Sequence, residues 1–177
     1  MSLDEFGAGG AIEPFELHER GERGGDRAII VLANLPDHIA KREAKILVEQ
    51  LGLDAKAIEV ERPKCRGAGN VLHVIVEHSE VTEVVTGFGQ KGIPAERVAS
   101  LAAAEALDYL EYTAPVGEHL ADQLVIPLAL AKRGSVTCTP PSLHTRTNVA
   151  VVGRFIDDVE LSLGERDGSW SLEASPS

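Results

Sequence analysis

The pattern of apolar and polar positions predicts a compact α/β unit over residues 25–112. Residues 28–32 form a continuous apolar run, rich in β-branched side chains, which is typical of a buried strand. Apolar side chains recur at helical spacing over residues 37–51, where Asp37 is a candidate N-cap and Gly52 a helix-ending residue. Three strand patterns and a second helical pattern complete the order β-α-β-β-β-α, at 57–61, 71–77, 81–86 and 94–110.

This order resembles a thioredoxin-like topology. Redox chemistry of the thioredoxin type uses a Cys-x-x-Cys motif, and Cys65 and Cys138 are too far apart to form one. We therefore expect a structural or recognition role for this unit, and a redox function is the weakest interpretation of the chain.

The remainder of the chain predicts a second region, with helices on a β-sheet. Residues 148–155 fit a helix or a strand, because their valines favour β-structure while their spacing is equivocal. Residues 1–10 are glycine-rich and predicted to be flexible, and the last residues, from Ala174, are predicted to fray. The other predicted elements are a strand within 11–18, a loop at 21–25, a helix at 117–132, a strand at 135–139 and a hairpin formed by 159–163 and 169–173.

Composition and charge exclude several classes of function. The chain carries 28 acidic and 17 basic residues, a formal net charge of −11, whereas a protein that coats DNA or RNA needs clustered Lys and Arg. Any RNA contact must therefore be local, which favours an enzyme acting on an RNA end. No apolar run reaches the roughly 20 residues of a membrane span. Cysteine usage and the lack of a secretory pattern favour a cytoplasmic location.

A first candidate for chemistry is the segment GEHLADQL at 117–124. Leu120 and Leu124 belong to an apolar helical stripe, which Asp122 and Gln123 interrupt. Burying such polar groups costs about 1 to 3 kcal/mol each unless they are hydrogen-bonded. The residues alone favour, by about two to one over a functional role, an Asp122 that faces solvent or caps a neighbouring loop.

A second candidate is the segment PSLHTRTN at 141–148. His144 stands among hydroxyl groups, Arg146 and Asn148, a set that suits a loop binding phosphate, because Arg balances charge and hydroxyls donate hydrogen bonds. A neutral imidazole is also a competent nucleophile towards phosphorus. A surface loop whose polar side chains bond the backbone explains the same residues about equally well.

Taken together, four segments give the chain a resemblance to the RNA 3'-terminal phosphate cyclases. Each is weak alone, but their order and separation are specific, and the similarity covers about residues 10–156. The segments are ANLPDHIA at 33–40, GFGQKG at 87–92, PVGEHLADQL at 115–124 and PSLHTRTN at 141–148.

The resemblance implies a mechanism and a set of site residues. His144 matches the histidine that attacks the α-phosphorus of ATP and carries AMP. AMP then passes to an RNA 3'-phosphate, and the neighbouring 2'-hydroxyl closes a 2',3'-cyclic phosphate. Asp122 and Gln123 match positions that line the nucleotide site, with His119 beside them. The implied cofactors are ATP and Mg²⁺ or another divalent cation; the metal ligands are unknown.

The chain departs from the family in its length, because members are about twice as long. In family terms, residues 1–24 are the tail of a preceding core unit with a linker, 25–112 the inserted small α/β domain and 113–177 the C-terminal core unit. We therefore expect a missing N-terminal half, without which the chain can be inactive. The alternative function is a non-catalytic RNA-processing or ribosome-assembly module with the same fold. His144 argues against it, because the family's ribosome-biogenesis branch lacks that histidine.

Overall fold

The structure, a computed structural model, describes residues 12–166 and 168–177 and divides them into two compact units. One unit runs from Gly21 to Thr113, and the other combines the described residues up to Arg20 with Ala114–Ser177. The predicted flexible segment 1–10 lies outside the described residues. The elements are β1 Phe15–Leu17, β2 Arg27–Ala33, α1 His38–Leu51, β3 Ile58–Glu61, β4 Gly69–Glu77, β5 Thr82–Phe88, α2 Ala95–Glu111, α3 Glu118–Ala131, β6 Gly134–Cys138, α4 Leu143–Val152, β7 Glu160–Arg166 and β8 Ser169–Ser175.

The unit at Gly21–Thr113 has the predicted order β-α-β-β-β-α, so this part of the fold prediction is confirmed. Its strands lie in the order β3-β2-β4-β5, with β3 parallel to β2 and the other pairs antiparallel. Alternate residues of β4, such as Leu72 and Val74, are buried against α1 and α2, which pack on each other. The alternation of apolar and polar positions was therefore a sound guide to this sheet.

The ends of α1 follow the predicted boundaries, although one cap works differently. Gly52 adopts φ +68° and its N–H bonds the carbonyl of Val48, so it ends the helix as predicted. Asp37 occupies the N-cap position without a side-chain cap bond. Its carboxylate instead accepts from Arg62, and this pairing lowers the pKa of Asp37.

Glu43 is an unexpected member of the core of this unit. It lies on the buried face of α1 between Ala40 and Leu47, and its side chain is fully buried. One carboxylate oxygen accepts from Asn70 at 3.1 Å, and the other has no hydrogen-bond partner in the part of the chain that the structure describes. Burial raises the pKa of Glu43 above its ordinary value of 4.5, against the opposing effect of the Asn70 bond.

The second unit is also mixed α/β, with strand order β1-β6-β8-β7. β1 is parallel to β6, and β6, β8 and β7 pair antiparallel, the last two as the predicted hairpin. Side chains of α3, including Val125 and Leu128, are buried with Val136 and Leu172 of the sheet. Gly134 begins β6 at φ +144°, where an added Cβ would lie 2.4 Å from the carbonyl oxygen of Phe15. The close pairing of β1 with β6 therefore requires glycine.

In this unit the structure decides between two open alternatives and contradicts one expectation. Residues 148–155 fit a helix or a strand in sequence, and the structure shows helix α4 at Leu143–Val152. Fraying from Ala174 was wrong for two residues, because Ala174 pairs with Gly134 and Leu161, and Ser175 pairs with Glu160. Among the described residues, no helix has both the length and the apolar character needed to cross a bilayer.

Replacing Glu43 by Gln should remove a pH-dependent loss of stability. The folded-state pKa is raised, so the contribution of Glu43 is complete below about pH 4.5 and is lost as the pH rises through the folded-state value. We expect the free energy of unfolding of Glu43→Gln, relative to wild type, to increase as the pH rises above about 4.5 and to level off above the folded-state pKa. Urea titrations across this range measure it. The exposed Glu49→Gln on the same helix is the control, and an identical pH trend in both variants would refute the assignment.

The two cysteines should differ sharply in reactivity. Burial raises the pKa of Cys138 to about 11, whereas Cys65 is exposed. Because the thiolate is the reactive form, only about 0.1% of Cys138 would be ionised at pH 8. Alkylation of the native chain, followed by mass spectrometry, should therefore modify Cys65 alone, and urea should expose the second thiol. Rapid modification of both in the native state would contradict the burial of β6.

Candidate active site

The first candidate segment forms the start of α3, which is anchored to strand β6. The N–H of Val116 donates to the carbonyl of Thr137, and the N–H of Thr139 donates to the carbonyl of Val116. Gly117 then serves as the extended N-cap residue, and its carbonyl accepts from Ala121. Glu118 in the first turn suits the positive end of the helix dipole. The backbone thus holds the first turn of α3 beside the end of β6.

The second candidate segment forms the start of α4 rather than the expected loop. Ser142 is the N-cap, and its Oγ accepts from the N–H of Thr145 at 3.2 Å and bonds the Thr145 hydroxyl at 3.1 Å. Thr145 is completely buried, whereas the neighbouring His144 is exposed. A capped first turn therefore fixes the backbone of His144 and leaves its imidazole accessible.

One hydrogen bond joins the two segments. Asn148 of α4 donates its side-chain amide to the Oδ1 atom of Asp122 on α3, at 2.6 Å. His144 lies four residues before Asn148, and His119 lies three residues before Asp122. Residues at these spacings share a helix face. Both imidazoles therefore lie on the helix faces that carry the Asp122–Asn148 bond.

The four predicted site residues thus differ in their placement. Asp122 is half-buried and bonded to α4, which overturns the interpretation that favoured a solvent-facing or loop-capping carboxylate. His119, Gln123 and His144 are exposed. Gln123 adjoins Asp122 in sequence, so its side chain projects from a different part of the helix surface. The structure brings Asp122 to the helix of His144.

In the sequence, Arg146 is predicted to balance the charge of a phosphate, and Asn148 is given no role of its own. Asn148 could have been found by its spacing of four from His144. Arg146 lies with its guanidinium carbon 4.5 Å from the ring centre of Trp170, a cation–π contact, and its Nε donates to the carbonyl of Pro141 at 3.4 Å. No local signal indicated this pairing, because Trp170 is 24 residues away on β8.

The exposed groups define what this site can do chemically. The imidazole of His144 can act as a nucleophile or accept a proton, and the first turn of α4 favours an anion beside it through its amides and dipole. Within residues 12–166 and 168–177, no group of three or more His, Cys, Asp or Glu side chains is arranged to hold a metal ion.

The fold and these segments agree with comparisons to known proteins. The family described as RNA 3'-terminal phosphate cyclase, insert domain, matches residues 18–111, more than half of the chain. The chain therefore belongs to the RNA 3'-terminal phosphate cyclase family, and the recognition made from the four segments is confirmed. The matched stretch nearly coincides with the unit at Gly21–Thr113.

A curated relative extends the similarity to the unit that carries His144. The RNA 3'-terminal phosphate cyclase of Koribacter versatilis (strain Ellin345) is 40% identical to this chain over 171 residues. The alignment covers 88% of this chain and 48% of that protein. The chain thus spans about half the length of the curated relative it matches.

The Asp122–Asn148 bond should contribute measurably to stability. A hydrogen bond to a charged acceptor contributes about 1.5–3 kcal/mol. We expect Asp122→Ala and Asn148→Ala each to destabilise the chain, and the double variant to lose less than the sum by at least about 0.5 kcal/mol. Urea unfolding of the four proteins measures this coupling. Gln123→Ala combined with Asn148→Ala should be additive; similar coupling in both cycles would show that the bond is unimportant.

Proposed function

We propose that this chain is the C-terminal half of an ATP-dependent enzyme that converts an RNA 3'-phosphate into a 2',3'-cyclic phosphate, with His144 carrying AMP. The observation that carries the proposal is the accessible imidazole at the capped start of α4, on the helix that Asp122 and Asn148 join to α3. Family membership and the similarity to a curated cyclase support the substrate class.

In the first step, a neutral imidazole nitrogen of His144 attacks the α-phosphorus of ATP. The new P–N bond replaces the bond to the bridging oxygen, and pyrophosphate leaves. Charge accumulates on the α-phosphate oxygens, and the N-terminal turn of α4 is suited to stabilise it, because helix N-termini favour anions. The product is a phosphoramidate, which is activated because a protonated imidazole is a good leaving group.

In the second step, an oxygen of the RNA 3'-phosphate attacks the AMP phosphorus and releases His144. The terminal phosphate is now joined to AMP through an anhydride. In the third step, the adjacent 2'-hydroxyl attacks the RNA phosphorus, loses its proton and expels AMP, which closes the cyclic phosphate. Each substitution thus has a better leaving group than direct closure, where oxide or hydroxide would have to depart.

The other predicted residues would hold the nucleotide. Asp122, kept in place by Asn148 at 2.6 Å, can accept hydrogen bonds from ribose hydroxyls through its second oxygen. Gln123 can both donate and accept, and the exposed His119 offers a flat ring as well as a hydrogen-bonding nitrogen. These roles require the nucleotide to lie along the start of α3 with its α-phosphate at His144.

Mg²⁺ or another divalent cation would offset the charge of the triphosphate. Because the described residues contain no cluster of three candidate ligands, the phosphates and water would supply most of its coordination. Asp122 is the carboxylate of the site that could contribute. The chain's own residues would therefore act mainly by positioning the nucleotide.

Exposed apolar side chains at and beyond α4 support the need for the remaining half of the proposed enzyme. Leu143, the first residue of α4, and Phe155, three residues beyond its end, are 78% and 82% exposed. Large apolar side chains exposed to this extent around a site are typical of a surface that packs against another body. The body that would pack against this surface corresponds to the 52% of the relative that this chain does not cover.

The decisive experiment is covalent labelling of a complete enzyme. The chain would be fused to the N-terminal half of the Koribacter relative and incubated with ATP labelled at the α-phosphate. We expect label that is stable to alkali and labile to acid, and its loss to background in His144→Ala, because the P–N bond needs that imidazole. Release of a 2',3'-cyclic end from RNA carrying a 3'-phosphate measures the complete reaction.

The matched control is His73→Gln, because His73 lies on β4, bonded to Thr86, and takes no part in the proposed chemistry. This variant should label like the wild-type fusion. A fusion that folds, cyclises RNA and retains labelling in His144→Ala would exclude His144 as the nucleophile. A folded fusion with neither labelling nor cyclisation would favour the non-catalytic module.

A further inference from the structure

A cavity in the unit at Gly21–Thr113 brings together two of the segments that the proposed chemistry does not use. It has a volume of about 470 Å³, within the range of roughly 300–1,000 Å³ that small-molecule sites occupy. Leu35, His38 and Ile39 come from the segment 33–40, and Gly89, Gln90 and Lys91 come from the segment 87–92. Two segments about 50 residues apart in sequence thus form one concave surface.

The cavity combines an apolar floor with polar groups at its edge. Leu35, Ile39, Ile93 and Val98 line it with aliphatic side chains, and Ile93 remains 46% exposed. Gln90 supplies both hydrogen-bond donors and an acceptor. A flat, partly polar ring can bury its faces on such a floor while its edge bonds the amide, as nucleobases do in protein sites.

The rim of the cavity is basic, in contrast to the net charge of −11 on the whole chain. Lys91 and His38 are exposed lining residues. Arg42 also lines the cavity, but Glu96 pairs with it and neutralises much of its charge. Asp37, next to His38, is likewise paired with Arg62. Lys91, aided by His38, is therefore positioned to attract an anion such as a phosphodiester.

One wall of the cavity carries a buried polar side chain. Asn70, which lines the cavity, is buried and donates to Glu43, a fully buried residue outside the lining, whose other oxygen has no hydrogen-bond partner among the described residues. The backbone N–H of Gly89 bonds the carbonyl of Asn70 at 2.9 Å, and a Cβ on Gly89 would lie 2.3 Å from the Asn70 Oδ1 atom. Only glycine therefore permits this approach. The buried amide of Asn70 thus adds a polar side chain to a lining that is otherwise largely aliphatic on this side.

We propose that this cavity binds one nucleotide of the RNA strand, with the base on the apolar floor and the adjoining phosphate at Lys91 and His38. The identification of the strand as RNA rests on the proposed function. The shape and charge of the cavity are independent of that function. Binding here would hold the substrate at a point separate from the group that reacts. The inserted unit would then have a recognition role.

The test uses the 177-residue chain, labelled with ¹⁵N and without ATP. The probe is a single-stranded RNA of about six nucleotides, a length within the site sizes of single-strand-binding modules. We expect amide signals of Gly69, Gly89 and Lys91 to shift on titration. Lys91→Glu should weaken binding about tenfold, because it replaces a phosphate contact by repulsion.

Lys56→Glu is the matched control, since it makes the same charge change at an exposed position outside the cavity lining. It should change the affinity less than twofold, a limit that allows for long-range screening. Ile93→Ser probes the apolar floor and should weaken binding without changing net charge. Circular dichroism establishes that each variant is folded.

Equal weakening by Lys56→Glu and Lys91→Glu would overturn the proposal, since it would show a general charge effect. Tighter binding of free AMP than of the RNA, with the same amide shifts, would also overturn the proposal, because the ligand would then be a mononucleotide rather than an RNA strand. Failure of this site is distinguishable from failure of the proposed function. RNA binding without histidine labelling would reject the chemistry alone, and labelling without binding at this cavity would reject this inference alone.

Discussion

The hydrogen bond from Asn148 to Asp122 is the constraint on which the candidate active site depends. It connects the middle of α4 with the first part of α3, and a charged acceptor that is half-buried makes its loss expensive. Because His144 and His119 share helix faces with the two bonded residues, the bond also determines which side chains can meet one substrate. The bond adds to the packing of α4 against α3, in which Val149 and Val152 join the apolar core of this unit.

The two units place their polar groups by different means. In the unit with α3 and α4, helix starts and one interhelical bond present exposed side chains. In the other unit, a buried hydrogen bond positions the polar groups. Glu43 lies among apolar residues and accepts a hydrogen bond from Asn70, whose side chain lies against Gly89. A half-satisfied buried carboxyl costs stability, and the side chain that it fixes, Asn70, is part of the cavity lining. The cavity and the core are therefore parts of one arrangement.

Sequence patterns predicted most of the fold because the strongest periodicities were unambiguous. Alternation in β4 and the helical spacing before Gly52 left one interpretation each. α4 was uncertain because three valines favour a strand, while the Ser142 cap, which decides for helix, depends on a bond to Thr145. Asn148–Asp122 and Arg146–Trp170 join residues 26 and 24 positions apart, and no local pattern encodes such contacts. Glu43 escaped prediction because a glutamate in an amphipathic helix normally faces water.

The exposure of His144 bears directly on how the proposed reaction could be organised. A nucleophile must be reachable, yet the phosphoramidate must pass AMP to RNA rather than to water, which favours a site that excludes water. Leu143, next to His144 in α4, and Phe155, three residues beyond the end of that helix, are also largely exposed. Packing a second body onto these side chains would cover them and exclude water from His144 in one event. The proposed enzyme would then have two parts with separate roles. This chain would supply the nucleophile on a rigid helix, and the covering body would keep water away from the phosphoramidate.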